Sequence, residues 1–500
     1  MNLAHLLDGH DPDSVAIISR NRSVTYGELT DYVARARGGL LAAGVRPGER
    51  VAILCGNNGY FVVAYLATLG IGAVAVPLNP TSPGPELARE LIVVEPAAAV
   101  LDPAALATWQ QLPPNAVGSV RLTVIADGAA PDGTVSLASL LTAEPAPIAA
   151  VAPDAVAAMM FTSGTAGPPR AAMLTHGNLR ANLEQMDSAD DRLLPSDVVY
   201  GVLPLFHIFG LNVVLAGALR AGSTLLLVQR FDPATAVDSF IQRGVTVVLG
   251  APPIWVAFST FDDLPSDAFS TVRLALSGAS RLPPSAAERM KSRFGIDVYE
   301  GYGLTEAGPV VTSSAGAARP GSVGRVLDGQ EVRLVDPDGD TVMVGDPGEV
   351  WVRGPNVFIG YYGEPEATAR VLTSDGWLRT GDIATVDDAG YLYLVDRAKD
   401  MIIVSGFNVF PAEVEEVLST HPAVAEVGVV GVAHPHHGEA VKAFVVLADG
   451  ANTDEESLID YAHDYLARYK CPSKIVFVDE LPRNAAGKLV RRRLPGTARG

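Results

Sequence analysis

The chain has 500 residues, 48% of them apolar and 19% charged, which excludes wholesale disorder and leaves room for about three domain-sized units. With 37 basic against 56 acidic residues, its net charge of −19 makes nucleic acid and anionic membrane poor partners, while a local basic site could still bind a small anion. Two distant cysteines, Cys55 and Cys471, support neither a disulfide framework nor a zinc site and suit a reducing, cytoplasmic setting.

The first twenty residues carry His5, Asp8, Asp11 and Asp13, with no basic-then-apolar run, so no secretory leader is expected. Thr25 and Glu28 form a T-x-x-E capping box. Leu29, Val33, Ala36 and Leu40 follow at helical spacing, with Gly44 as a stop. Val51–Leu54 reads as a strand. The uncharged stretch from Val51 to Pro85 is broken by Gly56, Asn57, Asn58, Gly70, Gly72 and Pro77. It reads as a buried helix near Tyr60–Leu69 and a buried strand at Ala73–Pro77 rather than a membrane span. Val198–Gln229, charged only at Arg220, has the same character. Glu144–Pro153 is Ala/Pro-rich and reads as a surface connection. Val245–Leu249, Leu274–Ser277 and Asp297–Tyr299 read as buried strands between helical patterns, which argues for α/β layers with parallel sheet.

Past residue 330 the pattern changes. Glu331–Val335, Glu349–Arg353 and Tyr391–Val395 alternate between apolar and polar, with Asp-Gly and Gly-rich turns between them, as in a small antiparallel region. The last hundred residues read as a separate α+β unit: helix Ala412–Leu418, strands Val427–Val432 and Val441–Leu447, helix Glu455–Tyr469 and strand Lys474–Val478. The charged segment Asp396–Asp400 is the expected boundary, giving domains 1–396 and 397–500. Arg491, Arg492 and Arg493 read as a solvated terminus.

Five segments carry chemistry. Phe161-Thr-Ser-Gly-Thr-Ala-Gly-Pro-Pro-Arg170 sets three hydroxyls and two glycines between Thr162 and Gly167. Glycine lets backbone N–H groups turn toward an anion, hydroxyls add donors, and Arg170 adds charge. This suits a polyphosphate without matching a Walker loop. Gly301-Tyr-Gly-Leu-Thr-Glu306 has Glu306 where a dinucleotide fingerprint needs its third glycine. Tyr302 there could stack on a base and Glu306 could hold Mg²⁺. Thr380-Gly-Asp382 and Asp396-Arg-Ala-Lys-Asp400 offer a carboxylate and a guanidinium suited to ribose hydroxyls. Leu481-Pro-Arg-Asn-Ala-Ala-Gly-Lys488 ends on a lysine after a flexible turn. Taken alone, each segment is better read as a plain loop, a surface turn, an ion pair or a solvated lysine.

In this order and spacing, with Val24–Leu29 and Leu203-Pro-Leu-Phe-His-Ile-Phe-Gly210, these segments resemble the acyl-adenylate-forming superfamily. The resemblance covers nearly the whole chain and favours the acyl-CoA synthetase branch. It implies a large α/β N-terminal domain of several subdomains, a smaller mobile α+β C-terminal domain, and ATP bound at their junction. It implies that Thr162, Ser163, Gly164, Thr165 and Gly167 hold the β- and γ-phosphates, and that Glu306 and Thr305 hold Mg²⁺. Tyr302 would stack on adenine. Gly278, Ala279 and Ser280 would line the base and the acyl entrance, with Gly303 leaving further room. Asp382 and Arg397 would fix the ribose. Lys488 would act on the carboxylate and α-phosphate, and His207 would position or gate the acid. Lys399 would be the hinge, and Gly406 would clear a path for the pantetheine arm. Arg170 and Ala171 depart from the superfamily's usual Pro-Lys-Gly, which points to a retained but slower phosphate loop.

The activity this implies is ATP-dependent acid:CoA ligation, with a medium or long fatty acid as the expected substrate and an aryl or other carboxylic acid as the alternative. Phe206 precedes His207 where amino-acid-activating relatives carry Asp, which counts against an α-amino acid. Transfer to an acyl carrier protein, and a catalytically inactive nucleotide- or acyl-CoA-binding protein, are the competing readings. Oligomeric state stays open.

Overall fold

The computed structural model describes every residue except 20–21, 163–169, 189–191, 398–399, 405–406, 435–437, 467, 484–488 and 496–500; at 396, 397, 403, 407, 408, 438 and 492 it describes the backbone only. The chain forms two compact units, Met1–Glu331 with Val352–Leu378, and Val332–Trp351 with Arg379–Gly500. Residues 396 and 397, the expected boundary, are the last two of strand Leu392–Arg397.

Two sheets organise the larger unit. Among the described residues the first has nine strands, in the order 325–326, 310–313, 298–303, 274–277, 247–250, 198–201, 224–227, 15–19 and 22–25. Strands 198–201, 247–250, 274–277 and 298–303 are neighbours and parallel, with Val199 beside Val247, Val247 beside Leu274 and Ala275 beside Val298. Their carboxyl ends therefore share one edge, where α/β proteins place ligands. Phe240, Phe258 and Phe269 interlock edge-on or tilted at 5.1–5.8 Å between ring centroids.

The second sheet has eight strands, ordered 360–361, 170–175, 156–162, 74–77, 50–54, 98–101, 122–125 and 135–136. Strand Arg50–Leu54, beyond its first residue, and helix Gly59–Gly70 are buried almost throughout, as the charge-free run from Val51 with no polar face requires. Among the described residues no helix is long and apolar enough to cross a membrane. The Thr25–Glu28 capping box is formed, with Glu28 N–H donating to Thr25 Oγ1 at 3.2 Å and Thr25 N–H donating to Glu28 Oε2 at 2.9 Å. It opens a helix over Tyr26–Ala42.

The smaller unit holds a sheet of strands 331–335, 348–353, 378–386 and 392–397 in that order, the last two antiparallel, apart from end residues that group with the larger unit. A further sheet orders 407–409, 402–404, 438–447 and 424–434, with 474–477 parallel to 438–447. Val414, Leu418, Val429, Val441 and Leu458 form its core. The helix expected to reach Tyr469 stops at Tyr465, and a short 3-10 turn occupies Arg468–Lys470. Leu466 is extended at the helix end, so the periodicity beyond it belongs to a different element. Arg491 is not solvated as expected: its guanidinium lies 2.7 Å from Glu415 Oε2 and 3.4 Å from Asp400 Oδ2.

Candidate active site

The parallel strands deliver three candidate segments to one edge of the nine-stranded sheet: 202–209 after Gly201, 278–280 after Ser277, and 304–307 after Gly303. Gly301-Tyr-Gly303, read from sequence as a turn, is the end of strand Val298–Gly303; Glu306 follows in a single 3-10 turn, Thr305–Ala307. Gly303 is obligatory there, because a Cβ would lie 2.1 Å from the Pro309 carbonyl oxygen. Tyr302 is buried, and its N–H donates to Thr312 Oγ1 at 3.3 Å.

Amide side chains lock the backbone around Glu306. Asn356 Nδ2 donates to the Ala307 carbonyl at 2.7 Å, and Asn212 Nδ2 to the Gly308 carbonyl at 2.9 Å. Asn182 makes a reciprocal pair with Val310 at 2.8 and 3.0 Å. Phe358 N–H donates to the Glu306 carbonyl at 2.8 Å. The Glu306 carboxylate accepts the Tyr361 hydroxyl at 2.7 Å. Burial first, then the Glu306 charge, pushes the Tyr361 phenol far above its ordinary pKa, so the proton stays on tyrosine. Among the described residues no three His, Cys, Asp or Glu side chains converge. One carboxylate with the neighbouring Thr305 hydroxyl does fit Mg²⁺ brought in on a nucleotide, since that ion keeps waters and phosphate oxygens and needs only one or two carboxylates.

Strands Val156–Thr162 and Arg170–Thr175 form an antiparallel hairpin with Thr162 opposite Arg170. The pairing makes residues 163–169 the hairpin connection. Ser163, Gly164, Thr165 and Gly167 lie outside the described residues; Thr162 stands at its entrance and Arg170 at its exit. Arg170 Nε pairs with Glu364 Oε2 at 2.9 Å, and its guanidinium lies 5.7 Å from the Tyr361 ring centroid. Ala171 sits on the opposite face, buried in the hydrophobic core cluster that also includes Met159, so its extra Cβ relative to glycine is accommodated by packing. Lysine at 170 would keep the charge but lose the planar guanidinium. We therefore expect Arg170→Lys to give no gain in kcat and an ATP KM within about threefold of the parent in a pyrophosphate-release assay.

His207 precedes an eight-residue π-helix, Phe209–Ala216, a rare form often found at functional sites. Phe209 N–H donates to His207 Nδ1 at 3.3 Å, which leaves Nε2 to carry the proton of the neutral ring. Asn57 holds the preceding loop: its Nδ2 donates to Leu203 O at 2.8 Å and its Oδ1 accepts Leu205 N–H at 3.0 Å. Phe209 packs on Gly278, where a Cβ would meet Phe209 Cε1 at 2.8 Å. Ala279 takes φ of +71°, a left-handed conformation costly for a residue with a Cβ and typical of strained ligand sites. These placements bring together His207, Gly278 and Ala279 through Phe209 and chain continuity.

In the smaller unit Asp382 and Arg397 are direct register partners on strands 378–386 and 392–397. Asp382 is buried, and its N–H donates to Thr380 Oγ1 at 3.1 Å. The Arg397 side chain, Lys399, Gly406 and Lys488 lie outside what the structure describes.

Sequence reasoning overlooked Tyr361, the amide set and Glu300. Glu300 accepts Leu282 N–H at 3.1 Å, and burial raises its carboxyl pKa. Asn178 and Asn182, one turn apart on helix His176–Asp187 and both buried, were the available signal: amides on a core-facing stripe need partners.

A model of the AMP-binding enzyme family matches residues 8–362, and one of the AMP-binding enzyme C-terminal domain matches 413–488. The chain is 39% identical over 490 residues to a feruloyl-CoA synthase from Amycolatopsis, covering 96% of this chain and 95% of the relative. It is 38% identical over 504 residues to a 3-[(3aS,4S,7aS)-7a-methyl-1,5-dioxo-octahydro-1H-inden-4-yl]propanoyl:CoA ligase from Mycobacterium tuberculosis, covering 97% and 96%. ATP-bound MatB from Rhodopseudomonas palustris superposes with a TM-score of 0.92 at 33% identity, covering 99% of this chain and 98% of that one. With both domain models matched in order and the similarity running the length of the chain, this protein belongs to the AMP-binding enzyme family, the acyl-adenylate-forming superfamily, within its branch of AMP-forming acid–thiol ligases, the acyl-CoA synthetases.

Proposed function

We propose that the protein ligates a ring-bearing carboxylic acid to CoA in two steps. A carboxylate oxygen attacks the α-phosphorus of ATP, the bond to the β-phosphate oxygen breaks, and acyl-AMP and pyrophosphate form. The CoA sulfur then attacks the acyl carbon, its proton leaves to solvent, and AMP departs with the bonding pair. The observation that carries the reading is the Glu306 turn, locked at the carboxyl edge of four parallel strands and hydrogen-bonded to the segment paired with the exit strand of the 163–169 hairpin. The ring preference is supported by the relatives named for feruloyl and methyl-dioxo-octahydro-indenyl propanoyl substrates.

In this reading Thr162, Ser163, Gly164, Thr165 and Gly167 bind the β- and γ-phosphates. Glu306 and Thr305 hold Mg²⁺, which when bound neutralises charge on the departing pyrophosphate. Tyr302, Gly278, Ala279 and Gly303 shape the adenine and acyl entrance, Asp382 and Arg397 grip the ribose, and His207 positions the acid. Lys488 stabilises charge at the α-phosphate in adenylation only. Lys399 is the hinge, and Gly406 clears the pantetheine path in the second step. Lys488→Ala is therefore expected to lower acid-dependent ATP–pyrophosphate exchange about 100-fold or more while sparing thioester formation from supplied acyl-AMP; equal loss of both halves would contradict the role.

The function is tested by pyrophosphate release with ATP and Mg²⁺ over ferulic, coumaric, benzoic, fatty and amino acids, with and without CoA, following products by mass. Turnover confined to ring-bearing acids, requiring CoA and yielding a thioester, is the expected result. Preference for fatty acids would overturn the substrate class. Acyl-AMP that accumulates despite CoA would point to a carrier-protein acceptor, and silence with no nucleotide-induced stabilisation to an inactive binding protein.

A further inference from the structure

One side chain in the larger unit touches both the Glu306 carboxylate and the cation at the exit of the 163–169 hairpin. Tyr361 lies in the two-residue strand Gly360–Tyr361, paired antiparallel to Arg170–Thr175 through Gly360 with Met173 and Tyr361 with Ala172. Its hydroxyl donates to Glu306 Oε1 at 2.7 Å across 55 residues of chain. Its ring lies 5.7 Å from the Arg170 guanidinium and packs edge-on against Phe358 at 5.0 Å. Its backbone N–H donates to Thr368 Oγ1 at 2.9 Å, and the residue is only 8% exposed.

Glu306 sits on a three-residue turn, and a glutamate has three rotatable side-chain bonds. The locked backbone alone does not aim its carboxylate. A hydrogen bond from a buried hydroxyl to an ionised oxygen is short and directional, and it narrows the carboxylate's rotation before a ligand arrives. Because Tyr361 is itself paired to the hairpin's exit strand, the bond sets the carboxylate at a defined place relative to that hairpin. We propose that Tyr361 is a positioning residue, whose hydroxyl fixes the Glu306 carboxylate relative to strand Arg170–Thr175 and thereby sets the affinity for metal–nucleotide. The inference rests on the Glu306 assignment under Proposed function.

The test uses ATP as probe, with full-length protein and calorimetric titration in Mg²⁺ and, separately, in EDTA. Tyr361→Phe keeps the ring and removes one oxygen. We expect it to weaken ATP binding in Mg²⁺ about tenfold, to change metal-free ATP binding by less than about twofold, and to leave the unliganded Tm unchanged. Glu306→Gln should abolish the Mg²⁺ increment, and the double variant should match Glu306→Gln alone. If Glu306→Gln loses the increment while Tyr361→Phe keeps it, the Tyr361 role is overturned. Equal weakening with and without Mg²⁺, or a lowered unliganded Tm, would make Tyr361 merely structural and overturn it too. If Glu306→Gln itself keeps the increment, the Glu306 assignment has failed first.

Discussion

Glu306→Gln should lower acid-dependent ATP–pyrophosphate exchange by about 100- to 1,000-fold, the scale set by removing one preorganised electrostatic group from a phosphoryl-transfer site. The substitution keeps the shape of the side chain, and the amide oxygen can still accept the Tyr361 hydroxyl. The turn itself is secured through the backbone, by Phe358 on the Glu306 carbonyl and Asn356 on that of Ala307. The unliganded Tm should therefore stay within about 2 °C of the parent, since surface-like polar changes that keep their hydrogen bonds move stability little. Thioester formation from supplied acyl-AMP should change by less than about threefold, because pyrophosphate has already left. Single-turnover measurements of each half-reaction check this. A variant with full exchange activity would remove Glu306 from the site.

The second large effect concerns stability. Glu90, on helix Gly84–Val94, is 7% exposed, and among the described residues its Oε2 has no hydrogen-bond partner. Burial, helped by the charge of Glu86 and opposed by Arg89, raises its carboxyl pKa to about 8. The folded protein therefore keeps a proton that the unfolded chain releases above its ordinary carboxylate pKa. Stability falls as pH rises from about 4.5 to about 8, and levels off above that, a loss on the order of 4–5 kcal/mol at most. Glu90→Leu, a volume-matched apolar replacement beside Leu87, Leu91 and Val94, removes the titration. Its Tm should exceed that of the parent by several degrees at pH 8 and by much less at pH 5. A gain independent of pH would show that Glu90 does not titrate in this window. Among the described residues the carboxylate pairs with no group of the proposed site, so activity at pH 7 serves as the control for fold.

Much of the fold was legible because its signals are local. The Thr25–Glu28 box announced a helix start within four residues, and both of its hydrogen bonds formed. Leu274–Ser277 and Glu331–Val335 were bounded correctly, the first because a short apolar run expresses a single buried strand's surroundings. In Glu331–Val335 the expected alternation is not what the fold shows, since burial increases steadily from exposed Glu331 to buried Leu334 and Val335. Where a pattern crossed between elements the reading slipped. Gly301–Gly303 looked like a turn on composition but continues a strand: its backbone pairs with Val310–Ser313, a contact that the glycines do not announce.

The order of motifs along the chain was enough to reach the family, since seven spaced segments together are far more specific than any one. Tertiary structure alone decided what each chemical group touches. Arg170 read as a phosphate cation, yet it meets Glu364, 194 residues on, and the Tyr361 ring. Tyr361 carried no signal of its own, and its partner Glu306 lies 55 residues earlier in another sheet's loop. Asp382 and Arg397 were proposed as a pair by resemblance, and only strand register made them neighbours. The physical reason is the range of the forces involved. Capping, alternation and helical spacing act within a few residues, so composition records them. Strand order, register and long-range hydrogen bonds depend on the whole chain closing at once, where a shift of one residue sends every side chain to the opposite face.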